Sequence, residues 1–440
     1  MLKRWHRFCN AHCTMRNARR CGGVRYDAEK IGLLGPEYKA IPVDAWGRTG
    51  ADFVAYAPGL ATLPTPLVTL DAGALNSNAA ALTGWAGRVG VDLAPHGKTT
   101  MAPSLWRAQL DDGAWGITVA TPWQLAVALS EGVPCVLAAY PVLVPAVLRR
   151  LGQPRSARVL VWADGVDVVE AMAPHVAGAA QPIDVLVDFG ASGGRTGART
   201  IEAAVATARA VAATPGLRLA GVAGYEGVLA HDASAESLAT IRAYLEQLAA
   251  LHTALGDLYD GEAIVTAGGS AYFDLVADVL APLHDPPATR VVVRAGAYLA
   301  HDDGFYRGIS PSNRASGPGF RAALHGWVRV ISRPEPGLAL ADGGKRDLPF
   351  DEGLPEVQAV RRSGAGPAEA VTGAEVTALA DQHTFVRLTG DAENLRVGDV
   401  LRLGLSHPCT TFDKWGLLPV LDDAHAPEPV VVDLVRTVFG

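Results

Sequence analysis

The sequence predicts a two-domain α/β protein, in which a closed parallel (β/α)8 barrel is followed by a mostly antiparallel β domain. Between residues 67 and 298, short apolar runs alternate with longer Ala- and Leu-rich stretches. After about residue 310 the pattern changes, and short β-branched runs alternate with Gly, Pro and Asp turns. Hydrophobic residues make up 49% of the 440 residues and charged residues 19%, a composition that excludes a disordered chain.

Eight apolar runs are predicted to form the barrel strands. They are continuous rather than alternating, as expected for a parallel sheet that helices cover on both faces. The stretches between them, such as 200–214 and 234–255, are long enough for crossover helices. Eight such units favour a closed barrel, with an open doubly wound sheet as the alternative. The runs are 89–93, 116–120, 135–139, 158–162, 183–189, 217–222, 263–267 and 290–294.

We expect three further parts of the chain outside a barrel at 62–310. Residues 1–30 are basic and rich in cysteine and are interpreted as a disordered N-terminal extension, although a transit segment or a metal knuckle shares this composition. Residues 31–61 and 311–440 are predicted to form the β domain together. Its strands are expected at 326–332, 338–341, 371–379, 385–388, 399–405 and 430–438.

Charge and cysteine content exclude several classes of protein. A formal net charge of -7 argues against a nucleic-acid partner, because phosphate binding needs a concentrated basic surface. The longest apolar stretch is shorter than a membrane span and contains three prolines, so no membrane partner is expected. Five cysteines without a CxxC spacing indicate a reducing compartment, and we expect a cytoplasmic protein.

The loops that follow the barrel strands contain the candidate site residues, since active sites of (β/α)8 barrels lie there. Lys98 follows the first strand and, if partly desolvated, would be an amine nucleophile. Gly268, Gly269 and Ser270 precede a predicted helix at 271–280, so that the serine would cap a helix end that favours an anion. With an arginine and a tyrosine on the same rim, at Arg195 and Tyr225, the set suits pyridoxal 5'-phosphate.

A second candidate site lies in the β domain, where the sequence reads His407-Pro408-Cys409. In a strand, residues two apart point to the same face, so both side chains could bind one zinc ion. Two protein ligands would leave positions open for water or substrate, as a catalytic zinc site requires. A buried cysteine beside a satisfied histidine is the structural alternative. His383 is a weaker candidate for an acid–base neighbour.

The combination of these motifs resembles the D-serine dehydratase/D-threonine aldolase group of pyridoxal phosphate enzymes, which have the alanine-racemase-like fold. It is most similar to bacterial proteins described as amino-acid deaminases or D-serine deaminase-like proteins. The motifs occur in order and in both domains. They are Pro-His-Gly-Lys-Thr at 95–99, Gly-Arg-Thr-Gly at 194–197, Tyr-Glu-Gly at 225–227, Gly-Gly-Ser at 268–270, Gly-Ala-Tyr at 296–298 and His-Pro-Cys at 407–409.

The resemblance implies a role for each residue of these motifs. Lys98 would carry the cofactor and exchange protons at the substrate Cα, and Arg195 and Tyr225 would contact the ring or its substituents. Zn²⁺, or another divalent metal, would bind His407 and Cys409. The phosphate would be held by Gly268, Gly269 and Ser270, together with Tyr298.

The function that the resemblance implies is β-elimination from a D-3-hydroxy amino acid such as D-serine or D-threonine, giving a 2-oxo acid and ammonia. Dehydratases of the group tend to have His-x-Cys and aldolases His-x-Asp, so Cys409 favours elimination. The alternatives are a D-threonine aldolase, which would release glycine and an aldehyde, and a non-catalytic pyridoxal phosphate protein. A racemase would need a second base and leaves the His-x-Cys pair unexplained. The resemblance also implies a homodimer.

Overall fold

The structure, a computed structural model, describes residues 28–314 and 317–439. After a first strand, β1 (Leu67–Asp71), eight parallel strands form one sheet. These are β2 (Asp92–Leu93), β3 (Ile117–Val119), β4 (Cys135–Ala138), β5 (Arg158–Ala163), β6 (Ile183–Phe189), β7 (Leu217–Gly224), β8 (Ala263–Ala267) and β9 (Thr289–Val293). The sheet runs in the order β2-β9-β8-β7-β6-β5-β4-β3, and a parallel bridge between His96 and Thr118 joins its two ends. The predicted barrel and its eight strands are confirmed.

Helices lie between the strands, and most of them begin at a side-chain cap or a proline. Thr200 and Ser234, for example, accept hydrogen bonds from backbone N–H groups in the first turns of the helices that follow them. Within the described residues, no helix combines the length and apolarity needed to cross a bilayer. The helices are α1 (Gly50–Ala55), α2 (Ala72–Val89), α3 (Pro103–Asp111), α4 (Pro122–Ser130), α5 (Pro145–Leu151), α6 (Val166–Val176), α7 (Ile201–Ala213), α8 (Ala235–Ala254), α9 (Phe273–Leu280) and α10 (Phe305–Ile309).

The second sheet contains β1 and the strands that follow the barrel. These later strands are β10 (Leu324–Glu335), β11 (Leu338–Asp342), β12 (Glu356–Arg361), β13 (Glu369–Ala370), β14 (Ala374–Leu379), β15 (His383–Leu388), β16 (Val400–Gly404), β17 (Leu417–Leu421) and β18 (Val431–Arg436). Every pairing in this sheet is antiparallel except that of β1 with β17, so the predicted β domain is confirmed.

The start of the predicted barrel region needs a correction, because β1 lies within 62–310 but pairs with β10 and β17 of the β domain. The segment 31–61 packs against the same domain, as expected, but through α1 and short 3-10 turns rather than strands. Lys39 Nζ, for example, lies 2.7 Å from Asp347 Oδ1. Of the predicted extension 1–30, residues 1–27 lie outside the described residues. The last three, Ala28–Lys30, form a 3-10 turn whose Ala28 N–H donates to Asp433 Oδ1 at 2.9 Å.

The inside of the barrel is filled by small and aliphatic side chains beneath the C-terminal ends of the strands. Because strands β4 to β9 all contribute buried residues to this packing, the barrel is a solid support and not a channel. The cluster consists of Ala94, Cys135, Leu137, Leu160, Trp162, Leu186, Ala220, Ala223, Ile264 and Val292. Any space for a ligand therefore lies above it, at the loops.

Candidate active site

A cavity of about 570 Å³ lies at the C-terminal ends of the barrel strands and is lined by residues of both domains. This is the end at which (β/α)8 barrels have their active sites. Eight of the ten predicted site residues line it, and only Tyr298 and His383 do not. The lining side chains with functional groups include His96, Lys98, Asp188, Arg195, Tyr225, His231, Ser270, Arg294, Tyr306, Glu352, His407 and Cys409.

Lys98 reaches the cavity from a 3-10 turn that directly follows β2. The turn is held close to α3, because Trp106 Nε1 donates to the Gly97 carbonyl at 3.1 Å. Only glycine fits at position 97, where a Cβ would lie 2.8 Å from the Trp106 ring. This packing therefore fixes the position of the turn from which the Lys98 side chain enters the cavity.

The surroundings of Lys98 favour its neutral amine. Burial lowers the pKa of Lys98, the charges of Arg195 and Arg294 lower it further, and only Cys409 acts in the opposite direction. A neutral amine is the form that reacts with an aldehyde. The position and surroundings of Lys98 suit a nucleophilic amine, and its role stays a prediction.

The backbone amides of Gly268 and Gly269 are already hydrogen-bonded to a protein carboxylate. Glu226, which is fully buried, accepts the Gly268 N–H at 3.0 Å and the Gly269 N–H at 2.7 Å. A phosphate on the same two amides would approach this carboxylate, and like charges repel. The prediction that these two amides hold the phosphate is therefore corrected, although both glycines line the cavity.

Ser270 also differs from its prediction. Helix α9 begins at Phe273 without a side-chain cap, so the serine does not cap it. Instead, Ser270 Oγ accepts hydrogen bonds from the N–H groups of Gly296 at 3.3 Å and Ala297 at 3.0 Å, in the loop after β9. These two amides are thus engaged by the serine, and the hydroxyl hydrogen of Ser270 is the donor that the group could offer to a phosphate at the cavity wall.

Arg195 and Tyr225 lie together, with the Arg195 guanidinium 4.5 Å from the centre of the Tyr225 ring. The loop that carries Arg195 is held by Arg199, which donates to the carbonyls of Gly194, Thr196 and Gly197 at 3.0 Å and also contacts that of Arg195. Tyr225 packs so closely on Gly269 that a Cβ there would lie 2.8 Å from its ring. The two predicted ring contacts are thus brought to one wall of the cavity.

Two cavity residues, Arg294 and His96, were not singled out as individual site residues by the sequence. Arg294 is buried at the end of β9, where it donates to Thr266 Oγ1 at 2.6 Å and to the Gly224 carbonyl at 2.5 Å. Burial and the cations Lys98 and Arg294 lower the pKa of His96 well below its ordinary value, and its buried Nδ1 has no hydrogen-bond partner. The position of Arg294 at the last residue of an apolar run was the signal that could have identified it.

His407 and Cys409 both line the cavity, but not from a strand as predicted. Pro408 begins a short helix, α11 (Pro408–Phe412), and His407 precedes it with a φ of 32°. Proline lacks an N–H and suits a first helical position, which is why the strand ends before it. The His407 ring contacts Asp351 through Nδ1, at 2.6 Å from Oδ2.

The Cys409 thiol lies beside the loop that carries the lysine, 3.5 Å from Thr99 Oγ1. Burial by itself would raise the pKa of Cys409, but His407, Thr99 and Lys98 together lower it below its ordinary value. Burial likewise disfavours protonation of His407, but Cys409 and Asp351 raise the pKa of its ring to about 9. The two predicted sites, which are 310 residues apart in sequence, therefore form one site.

Tyr298 and His383 lie elsewhere. Tyr298 is buried between α3 and the segment before β10, where its hydroxyl accepts a hydrogen bond from Gln109 Nε2 at 2.8 Å and its ring contacts Phe320. His383 is exposed in β15, opposite Asp342 of β11. The predictions of a phosphate contact for Tyr298 and of an acid–base role for His383 are therefore corrected, because neither side chain lines the cavity.

Two family profiles match the chain. Residues 70–299, just over half of it, match the N-terminal domain of alanine racemase, and residues 323–421 match a family described as "Putative serine dehydratase domain". The chain belongs to the alanine-racemase-like family of pyridoxal phosphate enzymes. The resemblance predicted from the motifs is confirmed.

Named relatives of this alanine-racemase-like chain include both aldolases and dehydratases. A D-threonine aldolase of Arthrobacter sp is 29% identical over 372 residues, which cover 83% of this chain and 90% of that protein. The solved D-threonine aldolase of Filomicrobium marinum has a TM-score of 0.73 at 24% identity, covering 87% of this chain and 97% of that one. The D-threo-3-hydroxyaspartate dehydratase of Delftia sp. HT23 has a TM-score of 0.67 at 22% identity, covering 87% and 99%. A Cys-to-Ala variant of a D-threo-3-hydroxyaspartate dehydratase has been solved in a metal-free form.

The cavity of this alanine-racemase-like chain fits the cofactor of the family. Lys98, Arg195 and Arg294 bring positive charge to a phosphorylated ligand, and the amine can bond to its aldehyde. Gly296 packs closely on the loop that carries Lys98, because a Cβ there would lie 2.7 Å from Thr99 Oγ1. The unpartnered Nδ1 of His96 is a further polar atom that a ligand could satisfy.

Proposed function

We propose that this chain is a pyridoxal phosphate- and metal-dependent lyase that removes water from a D-3-hydroxy amino acid such as D-serine or D-threonine, giving a 2-oxo acid and ammonia. The observation that carries the proposal is the convergence of Lys98 with His407 and Cys409 in one cavity. An amine nucleophile and a pair of soft metal ligands are what elimination of a hydroxyl group requires.

Lys98 has two tasks in this reaction. Its Nζ would hold the cofactor and, in the presence of the substrate, would remove the proton from the substrate Cα. When bound, the cofactor accepts the electron pair that the proton leaves behind. Loss of this proton and of the β-hydroxyl group, together one water, leaves an enamine that hydrolyses to the 2-oxo acid and ammonia.

His407 and Cys409 would hold a divalent metal, and the donor set favours Zn²⁺. Cysteine binds a metal as its thiolate, and an imidazole together with a thiolate suits zinc better than magnesium or calcium. Among the described residues, no group of three or more His, Cys, Asp or Glu side chains is arranged to hold a metal. The pair would therefore leave coordination positions open for the substrate, where the metal could act as a Lewis acid on the β-oxygen.

A D-threonine aldolase is the second candidate, and the 29% identity to the Arthrobacter aldolase over most of both chains favours it. In that reaction the bond between Cα and Cβ breaks, and the β-hydroxyl loses its proton instead of leaving. Lys98 and the metal ligands could serve either reaction. Cys409 in place of the aspartate expected in an aldolase is the reason that we favour elimination.

Product analysis decides between the two reactions. The purified holoenzyme is incubated with D-threonine, and 2-oxobutyrate with ammonia supports elimination, whereas acetaldehyde with glycine supports the aldolase. D-Serine should give pyruvate, and the L-enantiomers should give no product. Activity that a chelator leaves unchanged would refute the proposed role of the metal.

We also propose that the chain forms a homodimer across the rim of the barrel. Four apolar side chains that follow β3, β4 and β5, in the loop after β4 or in the first turn of the next helix, are 39–47% exposed, namely Trp123, Leu143, Val144 and Val166. Exposed apolar clusters of this kind mark protein contacts. Sedimentation of the wild type and of a Trp123→Glu variant tests this, with a monomeric wild type as the contrary result.

A further inference from the structure

The turn that carries His407 and Cys409 is hydrogen-bonded to an exposed loop at 351–353 through three side-chain contacts. Asp351 Oδ2 lies 2.6 Å from His407 Nδ1, and the other carboxylate oxygen, Oδ1, accepts the Thr410 hydroxyl at 2.6 Å. Ser406 Oγ donates to the Gly353 carbonyl at 2.9 Å. Both oxygens of Asp351 are therefore engaged by the same turn, on either side of Cys409.

The contact with Asp351 distinguishes the two nitrogens of the His407 ring. A carboxylate can only accept, so Nδ1 carries a hydrogen and donates it. In the neutral ring Nε2 is then the nitrogen with a free lone pair, which is the atom that can bind a metal. Because no group of three metal-binding side chains occurs in the described parts of the chain, Asp351 is not arranged as a third ligand.

The backbone at His407 needs such external support. Its φ of 32° is unusual for a residue other than glycine, and a conformation of this kind persists only where its surroundings hold it. Thr411 Oγ1 donates to the His407 carbonyl at 3.2 Å, and Thr410 Oγ1, whose one hydrogen is donated to Asp351, lies 3.3 Å from the same carbonyl. Thr410 thus contacts both the carbonyl of His407 and the carboxylate that binds its ring.

We propose that Asp351 is a positioning residue of the metal site, which selects the His407 tautomer that presents Nε2 to the cavity and holds the ring in place beside Cys409. Thr410 supports it by orienting the carboxylate. The inference rests on the proposed function, because it assigns Asp351 a role toward the metal that His407 and Cys409 would bind. Carboxylates that orient metal-binding histidines change metal affinity by about 10–100-fold when they are removed.

The test measures the affinity of the holoenzyme for Zn²⁺ by equilibrium dialysis against a zinc buffer. Asp351→Ala should weaken zinc binding by about 10–100-fold. Asp351→Asn should weaken it less, because its amide oxygen can still accept the Nδ1 hydrogen, and Thr410→Val should have an intermediate or small effect. Asp413→Asn is the matched control, since this exposed carboxylate follows the same helix and forms an ion pair with Lys414 at 3.6 Å.

Two further readouts separate a positioning role from a general structural one. Cofactor absorbance and the melting temperature should stay close to those of the wild type in Asp351→Asn, so that only the zinc affinity changes. Wild-type zinc affinity in both Asp351 variants would overturn this inference while leaving the proposed function intact. A wild-type enzyme that binds no zinc would instead refute the metal in the proposed function, and this inference with it.

Discussion

Glu226→Gln is the substitution whose effect the structure defines most closely. The Glu226 carboxylate is fully buried and accepts the backbone N–H groups of both Gly268 and Gly269. Glutamine has almost the same shape but only one acceptor oxygen. Its NH₂ group would face one of the two amide hydrogens, leaving two donors without an acceptor. The loops after β7 and β8 would then lose the link that holds them together.

The size of the effect follows from these two contacts. A hydrogen bond to a charged group contributes about 1.5–3 kcal/mol, and a buried polar group left unpaired costs about 1–3 kcal/mol. We therefore expect Glu226→Gln to lower the free energy of unfolding by about 2–4 kcal/mol. Because Tyr225 packs on Gly269, the affinity for pyridoxal phosphate should fall as well.

Urea unfolding of the apoprotein and titration with pyridoxal phosphate measure the two effects. Glu246→Gln is the matched control, since Glu246 is exposed on α8, and its free energy of unfolding should stay within about 0.5 kcal/mol of the wild type. If Glu226→Gln also stayed within that range and bound the cofactor normally, Glu226 would not link the loops, and the two amides would again be free for a phosphate.

Three further predictions concern the cavity. Lys98→Ala should abolish turnover and the label that borohydride reduction leaves on the wild-type peptide, and a label on another residue would refute the assignment. Gly269→Ala places a Cβ 2.8 Å from the Tyr225 ring and should weaken cofactor binding at least tenfold. Gly87→Ala, which has open space around it, should leave cofactor binding unchanged. Cofactor titration of both variants checks this. Burial raises the pKa of Asp188 to about 6, so the native state keeps a proton that the unfolded chain releases, and stability should fall as the pH rises from about 4 to 6. Asp188→Asn lacks this pH dependence, so its free energy of unfolding should rise by up to about 3 kcal/mol relative to that of the wild type between about pH 4 and 6. Urea unfolding at several pH values measures this difference. Parallel pH profiles of the two proteins would contradict the raised pKa.

The barrel could be predicted because each of its strands is a continuous apolar run with a helix after it. Three strands of the β domain, β12, β17 and the two-residue β13, were not predicted, the first two for local reasons. Strand β17 contains Pro419, which argues against a strand inside a sheet, and β12 mixes polar and apolar residues. The run at 67–71 was visible, but its sheet was not, because β1 pairs with residues more than 250 positions later.

The candidate site shows the same division between local and distant contacts. Lys98 and Arg195 could be identified because they follow strand ends, where barrel loops have functional residues. The phosphate contacts of Gly268 and Gly269 were predicted wrongly, because the pattern does not show that Glu226 takes their hydrogen bonds. Similarly, the strand at His407 was predicted wrongly, because Pro408 strongly favours the start of a helix.

The order of residues along the chain determined the two kinds of domain, the direction in which each barrel strand runs and the amino acids available for chemistry. Local periodicity encodes such features, because they depend on neighbours a few positions apart. Only the tertiary structure decided that the Cys409 thiol lies 3.5 Å from Thr99 and that Asp351 binds the His407 ring. Contacts of this kind join segments that are distant in sequence, and they form only when the β domain packs over the open end of the barrel.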